Sequence, residues 1–369
     1  MLKFVRYIGS KEKLIPFLDE VIFSRFHNKK FSILEGFSGT GIVSQYLNEN
    51  YNTDIYMSDI SLYSKIFSSI LNINNFNHKL LYHIEKIIEI TYYSKVPKTD
   101  NNIIFNELSI NGKPRSIDKE KFYNQNVQSR MFFTEDVGHK IDYMRHYINK
   151  AKNKDKLTDD EVNILLSLTI YFADKNANTT SVYAAYLKKQ NFETKPLKKE
   201  LVEYFQKEIH SPKKGNLITF LKDDILNTLD NIPPVDIIYL DPPYNTRKYE
   251  SNYHILNYIS DLNFKTNYIK ENSKTALPVK NNINLFSSKK GTREIFKKLI
   301  EKGLNKCNIL FISYSSDGEM SIEEIKKICD LNNFNLTIHQ REYQRFKSNQ
   351  KGNNSKLNEI IFEIRKNND

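Results

Sequence analysis

Glycine and proline are scarce in this 369-residue chain, at 11 and 10. That leaves little material for linkers and points to long helices and buried strands. Cysteine is scarcer still. Cys307 and Cys329 stand alone, with no CxxC pair and no Cys/His cluster, which argues against a disulfide scaffold and against a structural zinc site. No stretch approaches the roughly 20 apolar residues of a membrane span, and the opening Met1-Leu2-Lys3-Phe4 has no apolar leader core. The expectation is a cytoplasmic protein with no membrane association and no metal. Acidic residues are in deficit, 44 against 55 Lys plus Arg for a net charge of +11. This fits a polyanionic partner and equally a merely soluble basic protein. Part of the lysine excess, with the abundant Asn, Ile, Phe and Tyr, is what an AT-rich genome produces.

What is present is core material. Hydrophobic residues make up 39% of the chain, including 23 Phe and 23 Tyr, too many for a disordered protein. The length predicts one domain with an insertion or a second lobe. Leu14, Phe17, Leu18, Val21 and Ile22 recur at helical spacing, predicting a helix over 11–26. Residues 31–34 then read as a buried strand, followed by Gly36-Phe37-Ser38-Gly39-Thr40-Gly41, a helix from Ile42, and a strand at 54–57 ending in Ser58-Asp59. Strand, glycine turn, helix, strand, acid is the opening half of a doubly wound α/β sheet. Residues 62–93 read as helical, 95–121 as polar loop, and 122–210 as mainly helical, with Thr158-Asp159-Asp160-Glu161 as a capping box. Strands return at 216–220, 235–240, 308–314, 336–339 and 359–364. The expected architecture is a Rossmann-like α/β sheet formed by 1–90 and 205–369, interrupted by a mainly helical insertion over 91–204.

The most specific feature is Asp241-Pro242-Pro243-Tyr244, directly after the apolar strand 235–240. At the carboxyl end of a parallel strand such a turn points into the ligand crevice. An exocyclic amine on a nucleobase is a poor nucleophile because its lone pair is delocalised into the ring. Asp241 and the Pro242 carbonyl, held by the fixed φ of proline, suit acceptance of its two hydrogens. Tyr244 offers a flat face for a base taken out of the stack. Taken alone, the motif also reads as a rigid surface turn. Gly39 and Gly41 permit close approach of backbone to a ligand at a helix N-terminus. The full GxGxxG fingerprint is absent, which disfavours a nicotinamide cofactor. Asp59, at the end of the next strand, has the chemistry to meet ribose hydroxyls. Each feature alone is weak; in this order they favour a nucleoside-type cofactor.

These residues resemble the D12-class, α-group N6-adenine DNA methyltransferases of restriction–modification systems. Arg6-Tyr7-Ile8-Gly9-Ser10-Lys11 is similar to the family's N-terminal cofactor motif, and Leu34-Glu35-Gly36-Phe37-Ser38-Gly39-Thr40-Gly41 to its main S-adenosylmethionine loop. Glu35 is the carboxylate nearest the loop's usual first acid. Asp59 followed by Ile60 matches the ribose-binding position, and Asp224 or Asp223 resembles the acid that meets the cofactor's adenine. Asp241-Pro242-Pro243-Tyr244 resembles the catalytic motif, with Asp241 also facing the cofactor. The likeness continues through Asn245-Thr246-Arg247 and Asn252-Tyr253-His254, through 177–188, and into Ser313-Tyr314-Ser315-Ser316 and Tyr343-Gln344-Arg345-Phe346-Lys347. The resemblance implies transfer of a methyl group from S-adenosylmethionine to N6 of a flipped-out adenine in double-stranded DNA. It also implies a cognate restriction endonuclease as partner, a monomer or dimer, and target reading in the insertion.

For DNA contact the residues following the catalytic turn are the best placed: Arg247, Lys248, Tyr249 and His254. Tyr186 and Lys188 join them from the insertion. Lys189, Lys195, Lys198, Lys199 and Arg130 are further phosphate candidates, though a single lysine is more often a solvated helix face. Tyr253 reads as packing on the sheet. Lys280, Lys289, Lys290 and Arg293 read as a mobile basic loop. Alternatives are methylation of cytosine N4 or of adenine in RNA, or a catalytically silent DNA-binding subunit.

Overall fold

The structure, a computed structural model, describes residues 9–367 apart from 73–74, 118–129, 181, 189–192, 211–214, 245–248, 265, 280–285, 287–288 and 344–356. Seven strands form one sheet: β1 (Phe31–Gly36), β2 (Thr53–Ser58), β3 (Ile218–Leu221), β4 (Val235–Leu240), β5 (Cys307–Ser315), β6 (Phe334–Tyr343) and β7 (Leu357–Lys366). All seven lie where runs of Ile, Leu, Val and Phe place them. The order is β3-β2-β1-β4-β5-β7-β6. The first five are mutually parallel, and β7 runs antiparallel to both β5 and β6. The chain lays down strands outward from β1 through β2 and β3, then restarts at β4 on the other side of β1. The carboxyl ends of β1 and β4 therefore flank the switch point where open α/β sheets bind ligands.

Twelve helices are described. They are α1 (Ile15–Val21), α2 (Ile42–Asn50), α3 (Leu62–Leu71), α4 (His78–Ile90), α5 (Ile103–Leu108) and α6 (Glu135–Lys154), then α7 (Asp159–Lys175), α8 (Glu200–His210), α9 (Ile225–Asn231), α10 (Tyr249–Ser260), α11 (Lys289–Leu304) and α12 (Ile322–Leu331). Four stretches depart from expectation, the first being α5, which lies within 95–121, expected as polar loop, where Ile104 and Leu108 are buried at helical spacing. The single helix over 11–26 is instead a 3₁₀ turn at Lys11–Leu14, then α1, then a second 3₁₀ turn at Phe23–Phe26. Pro16 explains the first break, because it has no N–H to donate and fits only a helix's first turn. Residues 62–93 form two helices, since the Asn77 side chain accepts the Leu80 N–H at 2.8 Å and starts α4 afresh. The basic stretch expected as a loop is helical from Lys289. Ile295, Phe296, Leu299, Ile300 and Leu304 are buried at helical spacing there, and Arg293 pairs with Glu324 at 2.5 Å. The capping box at α7 forms as read: Thr158 Oγ accepts the Glu161 N–H at 3.2 Å, and Glu161 Oε2 accepts the Thr158 N–H at 2.8 Å.

The chain separates into two compact units, one comprising Met1–Gly9, Ser61–Lys214 and Tyr249–Asn281, the other Ser10–Ile60, Gly215–Lys248 and Asn282–Asp369. The helical unit thus begins earlier than residue 91 and also takes in 249–281. The physical reason is a shared core. Ile66, Phe67, Ile70, Leu80 and Ile84 of α3 and α4 pack with Leu165 and Leu168 of α7 and with Tyr253 and Leu256 of α10. The sheet unit has its own core, built on one face from Leu34, Ile238, Leu240, Leu310 and Ile312 with Phe296, Leu299 and Ile325 of α11 and α12.

Candidate active site

In the sheet unit the turn after β1 is held in left-handed backbone. Phe37 has φ 60°, Gly39 52° and Gly41 73°, and Gly41 is the N-cap of α2. For Phe37 that conformation costs on the order of 1–2 kcal/mol, a local strain that glycine avoids at the other two positions. The turn is anchored by Ser38 N–H to Ser58 O at 3.0 Å and Gly41 N–H to Ser38 O at 2.7 Å. The Gly39 N–H donates to Asp59 Oδ2 at 2.9 Å. Asp59 is thereby drawn from the end of β2 against the glycine turn. Ile60 beside it is 48% exposed, unusual for so large an apolar side chain. The Ser38 hydroxyl is buried and meets no hydrogen-bond partner among the described residues, which leaves an unused polar atom in the turn.

Glu35 lies beneath the same turn, 3% exposed. Its Oε2 accepts the Ser44 N–H at 3.0 Å and also the Ser44 hydroxyl, tying β1 to α2. Burial raises the carboxyl to about 8, against the pull of the Ser44 hydrogen bonds and aided by the charges of Asp241 and Asp59. The folded chain therefore binds a proton that the unfolded chain releases near its ordinary 4.5. The stability this contributes is complete below that value and is lost as pH rises through about 8. Glu35→Gln should keep the Ser44 contacts and flatten this dependence. The expected result is a melting temperature that falls less between about pH 6 and about pH 9 than in the parent. Parallel melting curves would count against a protonated Glu35.

After β4, Asp241-Pro242-Pro243-Tyr244 lies beside the glycine turn: Leu240 is in register with Gly36, and the Asp241 N–H points at Gly36 O across 3.4 Å. Here the structure gathers five side chains from four separate stretches of sequence. Lys11 Nζ lies 3.0 Å from Asp241 Oδ1 and 2.7 Å from Glu359 Oε1. The Tyr244 hydroxyl accepts from Lys11, and its proton is shared between Asp241 Oδ1 at 2.9 Å and Glu359 Oε1 at 2.8 Å. The Ser313 hydroxyl donates to Glu359 Oε1 at 2.5 Å. Lys11 also sits 4.6 Å from the Tyr244 ring centroid. The side chains of Lys11 and Glu359 are each 6% exposed and that of Asp241 20%, so Asp241 and the half-buried Tyr244 are the members that reach the surface. Burial by itself lowers the Lys11 pKa, but the two carboxylates outweigh it and hold the ammonium charged. Burial raises the Asp241 carboxyl; Lys11 opposes that and Glu359 adds to it. The Tyr244 phenol is held well above its usual range by burial and by the same two carboxylates.

Other expected site residues land as follows. Asp224 is the N-cap of α9, its Oδ1 accepting the Leu226 N–H at 2.9 Å, while exposed Asp223 accepts from Asp224 N–H at 2.7 Å and Asn227 Nδ2 at 3.2 Å. Thr40 is half-buried in the glycine turn, Pro242 buried and Pro243 half-buried. Arg6, Tyr7, Arg247 and Lys248 lie outside the described residues, and Tyr249 opens α10. In the helical unit Tyr186 packs edge-on against Phe132 at 5.1 Å and Lys188 is exposed. Two readings need correction. His254 is 4% exposed with Nε2 2.5 Å from Ala276 O, and Arg130 is fully buried against Glu107. Both are interior groups, so neither presents a free donor to a phosphate. Tyr253 is interior as expected, but it packs on Tyr63 of α3 at 5.9 Å rather than on the sheet. Sequence reasoning missed Glu359 as a member of the site. Its signal was an acid within the apolar strand Ile360-Ile361-Phe362, which pairs with β5 through Ser315.

Comparison with known proteins agrees with this geometry. A family model described as D12 class N6 adenine-specific DNA methyltransferase matches residues 7–328. The type II methyltransferase M.FokI of Planomicrobium okeanokoites is 31% identical over 98% of this chain and 53% of its own length. M.NlaIII of Neisseria lactamica is 30% identical over 97% of each. M.CviAII of Paramecium bursaria Chlorella virus 1 is 29% identical over 86% of this chain and 85% of its own. The chain thus spans about half of M.FokI and nearly all of M.NlaIII. Among solved structures, TrmN from Thermus thermophilus aligns with 98% of this chain and 51% of its own at 9% identity and a TM-score of 0.34, too slight a likeness to add to the fold described above.

Proposed function

The chain belongs to the D12 class of N6 adenine-specific DNA methyltransferases, and from that premise we propose that it transfers the methyl group of S-adenosylmethionine to N6 of an adenine extruded from a specific duplex site. The observation that carries the reading is the meeting of Asp241-Pro242-Pro243-Tyr244 with the strained glycine turn at the sheet's switch point. The buried Ser38 hydroxyl, unpartnered among the described residues, the left-handed glycine turn at Gly39 and Gly41, and Asp59 fit a nucleoside cofactor bearing an amino-acid tail. Ser38, Thr40 and Gly41 at the N-terminus of α2 would hold the tail, with Phe37 and Glu35 shaping the turn. Asp59 and Ile60 would take the ribose and one face of the adenine, with Asp223 and Asp224 at its edge. When bound, the cofactor supplies a methyl group made electrophilic by its sulfonium.

Asp241 and the Pro242 carbonyl accept the two hydrogens of the target amine and concentrate its lone pair on nitrogen. The amine nitrogen would take the methyl group from the sulfonium of the bound cofactor, and the amine proton would leave through Asp241 to water. Lys11, paired to Asp241, favours the ionised carboxylate against the burial that raises its pKa. Pro243 stiffens the turn, and the Tyr244 ring supports the extruded base. The helical unit is the proposed seat of target recognition, with Tyr186 and Lys188 as proposed DNA contacts, joined by Arg247, Lys248 and Tyr249, which follow the catalytic motif in sequence. The relatives' names, type II methyltransferase and modification methylase, support a role in modification, with a nuclease of matching specificity as partner.

The test is direct. The protein is incubated with labelled S-adenosylmethionine and unmethylated genomic DNA, and the modified base is identified and mapped. N6-methyladenine at one short sequence is the expected product. Label in N4-methylcytosine, or in RNA alone, would overturn the proposal.

A further inference from the structure

Both partners that Asp241 makes in the described residues fall on one oxygen. Lys11 Nζ is 3.0 Å and the Tyr244 hydroxyl 2.9 Å from Oδ1, and among the described residues no donor meets Oδ2. The two groups that occupy Oδ1 are themselves held by Glu359, whose Oε1 takes Lys11 at 2.7 Å, Tyr244 at 2.8 Å and Ser313 at 2.5 Å. We propose that Glu359 is a positioning residue: from β7, with Ser313 of β5 behind it, it clamps Lys11 and Tyr244 onto Oδ1 and so reserves Oδ2 of Asp241 for the substrate amine. The inference rests on the reading of Asp241 as the group that meets that amine.

The reason is charge and geometry. A buried ammonium beside a single carboxylate would bind it bidentately or rotate it freely; a second carboxylate draws the ammonium to one side. Glu359 is 5% exposed and lies on a strand paired at both edges, so it moves little. It shares the Lys11 charge with Asp241 and thus tempers how tightly Lys11 holds the catalytic carboxylate. Glu359 itself touches neither reacting atom; it acts through Lys11 and Tyr244.

The experiment compares the parent chain with Glu359→Gln and Tyr244→Phe. Gln retains an acceptor for Ser313 but removes the charge that raises the Asp241 carboxyl, so Asp241 should titrate at lower pH. Phe removes a donor to Asp241, so it should titrate at higher pH. The readout is the Asp241 carboxyl carbon resonance on titration of the protein alone, assigned by its loss in Asp241→Asn. Single-turnover methylation is followed across the same pH range. Glu359→Gln should slow transfer by about 100-fold at saturating substrates with cofactor affinity within threefold or so of the parent, and its acid limb should move down while that of Tyr244→Phe moves up. An unmoved Asp241 titration in both variants, or parental turnover in Glu359→Gln, overturns the proposal. A rate loss that follows melting temperature with no shift of the limb means a structural role only and overturns it too. Should Glu359→Gln not fold, the sign of the Tyr244→Phe shift alone decides. Failure of the parent chain to methylate any adenine is a separate outcome that removes the functional reading on which this rests.

Discussion

Asp241→Ala lowers the single-turnover rate of methyl transfer by about 1,000-fold or more, while the fold survives and most cofactor affinity is retained. The expectation follows from where the side chain sits. Asp241 lies just beyond the last hydrogen-bonded residue of β4, and the core beneath it is made by Ile238, Leu240 and Leu310, which the substitution does not touch. Loss of the carboxylate does not strand a buried charge either, because Lys11 keeps Glu359 at 2.7 Å. What disappears is the acceptor at the exposed end of the cluster. Without it the amine lone pair stays in the ring, and the remaining catalysis is proximity alone. Single-turnover rates with calorimetry of cofactor binding separate the two effects. A rate within tenfold of the parent would show that another group accepts the amine. Equal loss of binding and rate would place Asp241 in the cofactor site instead.

The centre of the sheet was legible because β1, β4 and most of β5 are buried on both faces and so read as short unbroken apolar runs. Residues 235–240 and 308–314 are such runs, and the glycine turn and Asp59 fall at the carboxyl ends of β1 and β2, where the fold puts ligands. The helix–loop boundaries were less legible. A run of 3.6-residue periodicity does not show that Asn77 restarts a helix or that Pro16 begins one, since both act through a single side chain against the periodic background. The unit boundary was harder still, because it depends on which apolar faces meet. Ile66 and Phe67 carry the same pattern whether they pack on the sheet or on α7. The charged interior was the least legible. Glu359 and Glu363 flank the apolar triplet Ile360-Ile361-Phe362 in the last strand, where a lone acid reads as a solvated strand end. Yet Glu359 closes on Lys11, and Glu363 takes both guanidinium nitrogens of Arg25 at 2.8 and 2.7 Å. Each partner is more than 330 residues away in the chain, beyond anything local spacing can reveal.

Arg130 is the sharpest instance, and it sets the largest stability effect expected in the helical unit. Read as a phosphate contact, it is instead 0% exposed. Its Nη1 donates to Glu107 Oε2 at 2.8 Å and to the Glu107 carbonyl at 3.2 Å, while Nε and Nη2 reach the Ser273 carbonyl at 3.2 and 2.6 Å. The guanidinium joins three stretches of that unit, and its pKa is pulled down by burial against the opposing charge of Glu107. Arg130→Met keeps the bulk but leaves the Glu107 carboxylate without its cation, and should cost about 3–5 kcal/mol, read as an earlier urea transition of helical ellipticity. Adding Glu107→Gln should recover a large part of that loss. The side chain at 107 would then be neutral, and it keeps acceptors for the Arg115 and Ser116 N–H groups that Glu107 binds at 2.7 and 3.2 Å. A phosphate-contacting arginine would behave otherwise. Its loss would leave the urea transition in place and lower the salt dependence of duplex binding by about one ion, and a second substitution at Glu107 would restore nothing. Measured together on Arg130→Met and the double variant, unfolding and salt dependence distinguish an arginine that holds the helical unit together from one that holds DNA. The buried geometry requires the first pattern.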